Sequence, residues 1–343
     1  MKIKNPRKIP IYIYLFLFLF SAFLIIINPE IGKKAAIKGV ILCGNVIIPS
    51  LFAFSALILF LMKIIPLLVS GKEKIFIIIF SMVGGYPIGA KLINNALKKN
   101  ILNQNEAKKM LNYCVNAGPA FIIGAVGSGI LSSKKIGYIL LFSHILSSFF
   151  ICLILGTKEK KSPLCVAEKT ENFSFTDNFT ESVTDAANMM IGISSYVIFF
   201  SVLNDYLIYF SEKFPFLKNL AFFLEVTRGI SQTRNIYFIS FLLGFSGFCI
   251  WCQILSIGKE IKINLFLFAL FRILHGLLST AFTFLLIKIF KITLPCFSNS
   301  VNFNLDLFYS TPIFSLSLIF LAIIFIISLF SKKYSRNLID DML

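Results

Sequence analysis

Apolar residues gather in ten runs along the chain, near 11–28, 39–62, 75–90, 111–131, 137–156, 186–210, 219–230, 236–257, 264–290 and 312–330. A helix needs about 20 apolar residues to cross a bilayer core, and eight of these runs approach that length. The runs 75–90 and 219–230 fall short of it. The pattern therefore predicts an all-α polytopic membrane protein of about eight transmembrane helices plus two re-entrant helical hairpins, each entering and leaving on one side. Between the halves lies the polar stretch 156–182, "GTKEKKSPLCVAEKTENFSFTDNFTES", which reads as a flexible linker.

Each half then runs span, hairpin, interrupted span, span, and the halves begin on opposite sides. That makes them inverted repeats, a transporter architecture whose substrate site lies at the repeat interface near mid-membrane. Weak echoes accompany the pattern: 45–60 against 188–203, and "NAGPAFIIGAVGSG" (116–129) against "LGFSGFCIWCQILS" (243–256). The expected organisation is an N-terminal anchor span (1–35) and a first transport repeat (36–156), followed by a cytoplasmic linker (157–185). A second repeat (186–290) and then a loop, last span and basic tail (291–343) complete it.

Charge orients this scheme. With both termini in the cytoplasm, the predicted cytoplasmic pieces carry 21 Lys or Arg and the external ones 11, with Arg272 alone inside a span. That asymmetry follows the positive-inside tendency. The chain has 33 basic against 16 acidic residues, but the lysines sit in short connections rather than on one polar face, so nucleic acid is not expected as a partner. The apolar share of 57% agrees with membrane residence, and the seven cysteines suggest no disulfide framework.

The first run that could carry chemistry is "SMVGGYPIGAKLINN" (81–95). Gly84, Gly85 and Gly89 loosen the backbone and Pro87 lacks an amide donor, so a helix break is expected there, next to Tyr86 and Lys91. Irregular backbone at membrane depth persists only when buried in protein or lining a watery cavity. A free helix N-terminus at the break would suit an anion.

In the next run, Pro119 after Gly118 should free carbonyls upstream, beside Asn116. In the second half, Glu225 and Arg228 stand three apart, expected to pair on one helical face, with Arg228 towards a substrate. Ser246 and Gly247, with Gly244, should interrupt another span, and Gln253 follows on its continuation. Arg272 and His275, three apart in an apolar span, should face the bundle interior as structural or gating residues, because an unpaired arginine in lipid is costly. His144 reads as a packed or interface histidine. "CIWC" (249–252) has the spacing of a redox pair but lies inside a span with no second pair. No HExxH, GxSxG, P-loop or DxD cluster occurs, so an enzyme, a metal and a cofactor are not expected.

On "GGYPIGAKL" (84–92), "NAGPAFIIGAVG" (116–127), "GFSGFCIWCQ" (244–253) and "FRILHG" (271–276), the chain resembles the YlbJ (SpoVV) family of sporulation integral membrane proteins, within the nucleoside recognition or gate-domain group. The resemblance implies a carrier moving dipicolinate from the mother cell across the outer forespore membrane during formation of the spore cortex. It also implies contacts at Gly84 to Lys91, Asn116 to Pro119 and Gly244 to Gln253. The expected partners are this small dianion and the lipid bilayer, and a homo-oligomer is compatible with the sequence. Two other readings stand beside it: a nucleoside or other small-metabolite carrier, and a membrane scaffold that transports nothing.

Overall fold

The computed structural model describes residues 25–68, 73–156 and 174–292, with Leu19, Ala22 and Phe23 before them; the expected first and last spans, 11–28 and 312–330, fall mostly or wholly outside these. Every regular element among the described residues is a helix. Among the described residues, five helices are long and apolar enough to cross a membrane.

The first of them joins α1 (Pro29–Leu42), a π-helical turn (Cys43–Ile47) and α2 (Ile48–Leu68) into 40 continuous residues. The connection between the first two apolar runs, 29–38, is therefore helical rather than a loop. Pro29 opens the helix, where its missing amide costs nothing. Gly32, Ala35 and Gly39 then form a small-residue stripe, and a methyl on Gly39 would stand 2.9 Å from Ile198 Cα on the helix alongside. Lys33, Lys34 and Lys38 lower the local hydropathy and mask this close packing in the sequence.

Next come α3 (Glu73–Gly84) and α4 (Tyr86–Lys98), separated by Gly85 alone. The two fold back on each other: a methyl on Gly89 would be only 3.2 Å from Ser81 Cβ. The ion pair Lys74–Glu106 stands at the base of this hairpin. The second arm is longer than the expected limit at residue 90, since Leu92, Ile93, Asn94 and Ala96 are buried in it.

Helix α5 (Gln104–Cys114) starts in a capping box, Asn103 with Glu106, and runs to an irregular segment, 115–119. An eleven-residue π-helix, Ala120–Ile130, continues the line. π-Helical geometry is rare, and its usual single-turn form is frequent at functional sites. Helix α6 (Lys134–Leu155) returns, with Gly137 packed directly on Gly127.

The second half opens with α7, Phe175–Phe210, which takes in residues expected to be linker; 157–173 lie outside the described residues. Ser174 caps it and Phe175 and Phe179 pack edge-on against Phe60, so tertiary contact draws this polar-flanked stretch into the helix. Lys38 meets Asp205 and Lys63 meets Glu181, which sets α7 antiparallel to α1–α2. The second hairpin is α8 (Phe216–Leu224) and the short α9 (Val226–Ser231), broken at Glu225. A methyl on Gly229 would lie 2.3 Å from Phe222 O, so these arms also fold together.

Helices α10 (Ile236–Phe245) and α11 (Gly247–Ile257) form the second interrupted span, and α12 (Leu265–Ile289) ends the described chain. Hairpin one follows the α2 end that meets the start of α7, and hairpin two follows the end of α7. The two therefore begin at opposite ends of that helix.

Candidate functional site

Four helix interruptions define the centre of the molecule, and they meet in pairs. Gly85, at φ +87°, breaks the first hairpin in a conformation that side chains disfavour. A methyl on Gly118 would lie 3.2 Å from Val83 O and 3.3 Å from Gly85 N, so the 115–119 break rests on the Gly85 break. In the second half, Gly247 lies equally close to the Glu225 break: a methyl there would be 3.2 Å from Val226 N. Tyr86 joins the pairs, its hydroxyl donating to Leu243 O at 2.7 Å.

The break at 81–95 is narrower than expected. Gly84 closes α3, while Pro87 sits in the first turn of α4, where no amide is needed. Gly89 lies inside α4 because any side chain would strike Cys114 O, which is 1.9 Å from where a Cβ would stand. The second hairpin repeats this device, with Gly229 four residues after Glu225 as Gly89 is four after Gly85. This echo is present in the sequence but obscured there, because the flanking residues differ.

Pro119 does free the carbonyls upstream, and protein groups meet them. Arg272 of α12 donates to Val115 O at 2.6 Å and to Asn112 O. Ser148 and Asn116 both donate to Tyr113 O, and the Ala117 amide donates to His144 Nε2 at 3.0 Å. Arg272 is fully buried and forms no ion pair with a carboxylate among the described residues. The negative end of α5 and its carbonyl dipoles face the cation instead.

A histidine pair extends the network. Arg272 donates to His275 Nδ1 at 3.1 Å, which leaves the proton of a neutral His275 on Nε2, 3.1 Å from His144 O. The two imidazoles stack at 4.4 Å, and Tyr86 stands edge-on to His144. His144 thus belongs to the central network, a role its isolation in the sequence conceals. Three atoms in these buried residues find no partner among the described residues: Asn116 Oδ1, His144 Nδ1 and Arg272 Nε. A buried polar atom left in that state costs about 1–3 kcal/mol.

The other expected cations are matched. Lys91 pairs with Asp185 at 3.1 Å, and Arg228 pairs with Asp205 at 2.7 Å while donating to Ser201 O. The expected Glu225–Arg228 side-chain pairing is replaced, because the buried Glu225 carboxylate caps α9 by accepting the Thr227 and Arg228 amides. Ser246 takes a left-handed conformation at φ +69°, and Trp251 donates to the freed Phe245 O at 2.8 Å. Gly244 packs against the Gly276 backbone, and Gln253 turns to Cys249 Sγ. The 116–129 and 243–256 echo sets Pro119 opposite Ser246, so it aligns the two breaks.

No protein-family model matches the chain, and no solved structure does. The sporulation integral membrane protein YlbJ of Bacillus subtilis (strain 168) is 25% identical over 262 residues, covering 62% of this chain and 64% of YlbJ. The match thus spans less than two thirds of that protein's length. The chain is an integral membrane protein and a distant relative of YlbJ, as the motif resemblance implies.

Proposed function

We propose that this protein is a carrier that moves a small organic dianion, dipicolinate, out of the mother cell across the outer forespore membrane during sporulation. The observation that carries the reading is the meeting of four helix breaks in two pairs, with a buried arginine, unmatched by any carboxylate among the described residues, donating into one of them at Val115 O. Interrupted helices near mid-membrane are where carriers hold their cargo. YlbJ's description as a sporulation integral membrane protein supports the setting.

The path works by alternating access. Asp185 and Asp205 are 20 residues apart on α7, about 30 Å at 1.5 Å per residue, which is about the thickness of a bilayer core. Each carboxylate holds the second arm of one hairpin, through Lys91 or Arg228. Releasing one ion pair while the other holds opens the centre to one side at a time. In this reading the hairpins are re-entrant, the halves are inverted repeats, and both termini are cytoplasmic. Six spans come from the five long helices and the interrupted α5–π-helix line.

An anion leaving a negative cytoplasm moves downhill by about 2.3 kcal/mol per charge per 100 mV, so no coupling ion is required. No enzymatic step enters the cycle. Flux of labelled dipicolinate through liposomes holding the purified full chain tests the proposal. We expect membrane-potential-dependent flux above that of empty liposomes; equal flux overturns the carrier reading and favours a scaffold.

A further inference from the structure

We infer that His144 and Arg272 together bind a carboxylate of the cargo, His144 through Nδ1–H and Arg272 through Nε–H; this rests on the carrier reading for its ligand. A backbone amide can only donate, so the bond from Ala117 N makes His144 Nε2 an acceptor and fixes the tautomer. The proton of this imidazole therefore sits on Nδ1, where it meets no partner among the described residues. Arg272 engages both terminal nitrogens with Val115 O, Asn112 O and His275, and keeps Nε–H free.

His275 links the two residues. Its Nδ1 accepts from Arg272, and its ring stacks on His144 at 4.4 Å. Each of the two residues in contact with this imidazole thus keeps one buried N–H without a partner among the described residues, and Arg272 adds a formal positive charge, the donor chemistry that a carboxylate takes. The third unpartnered atom, Asn116 Oδ1, is an acceptor and takes no part in holding an anion. The site lies beside the 115–119 break and next to Tyr86, which reaches the other half at Leu243.

Two variants separate binding from support. In His144→Gln the amide oxygen can still accept from Ala117, near the Nε2 position, while the donor near Nδ1 is gone. In His144→Asn an N–H stays near Nδ1 and the acceptor for Ala117 is lost. Calorimetric titration of the purified full chain with dipicolinate should show about tenfold weaker Kd for the glutamine variant, the worth of one hydrogen bond to a charged group. The asparagine variant should bind within about threefold of the wild type. Unchanged affinity in the glutamine variant, equal weakening in both variants, or no binding by the wild type each overturns the inference. If binding follows the expected pattern but the wild type moves no dipicolinate into liposomes, the carrier reading falls and the carboxylate site stands.

Discussion

The contact between Gly89 and Cys114 O gives the sharpest stability test. A methyl on Gly89 would lie 1.9 Å from that carbonyl oxygen, whereas a carbon and an oxygen rest at about 3.3 Å or more. The second arm of the first hairpin would have to retreat from α5 by about 1.4 Å, and Ser81 Cβ, 3.2 Å from the same point, is a second close neighbour. Overpacking costs about 1–3 kcal/mol, and a clash with backbone belongs at the upper end. Alanine also gains about 0.5–1 kcal/mol over glycine inside a helix. The net expectation for Gly89→Ala is a loss of about 2 kcal/mol. Gly124→Ala and Gly192→Ala are internal controls, since a methyl at either meets nothing within 4 Å, and each should be neutral or slightly stabilising. Unfolding by SDS titration in mixed micelles, followed by Trp251 fluorescence, measures all three. A Gly89→Ala protein as stable as Gly124→Ala would refute the tight-contact account of the first hairpin.

Two further outcomes are expected. Ser246→Gly should raise stability by about 1 kcal/mol in the same titration, because a serine at φ +69° bears strain that glycine lacks; an unchanged or lower value counts against that strain. Exchanging the partners at the first hairpin, Lys91→Asp with Asp185→Lys, should restore most of the dipicolinate flux lost in either single variant. Their coupling should be about 1 kcal/mol or less, given partial exposure, and additive losses would remove the ion-pair latch from the cycle.

Much of this centre is legible in the sequence because glycine and proline mark backbone that a helix cannot use. Gly85, Pro119 and Gly247 announce three breaks, and the two short apolar runs announce the hairpins. Arg272 and His275 are legible as inward-facing because lipid makes the alternative costly. Partner identity is a different matter: nothing local links Lys91 to Asp185, Arg228 to Asp205, or Arg272 to the carbonyls of α5. Each of these pairings joins different elements, 23 to 160 residues apart in the chain. The start of α1 and the early start of α7 are missed for a related reason, since their polar residues pair or pack only once the long helices lie side by side. His144 is hidden because one histidine in an apolar run carries no pattern, and its role arises from the amide at Ala117.

The bond from Arg272 to Asn112 spans 160 residues of chain. At a synthesis rate of about 5–20 residues per second, the last turn of α5 is made roughly 8–30 s before its arginine exists. Tyr86 waits a similar time for Leu243, 157 residues later. The newly made first half therefore carries two central carbonyls, Asn112 O and Val115 O, whose arginine partner arrives only with the second half.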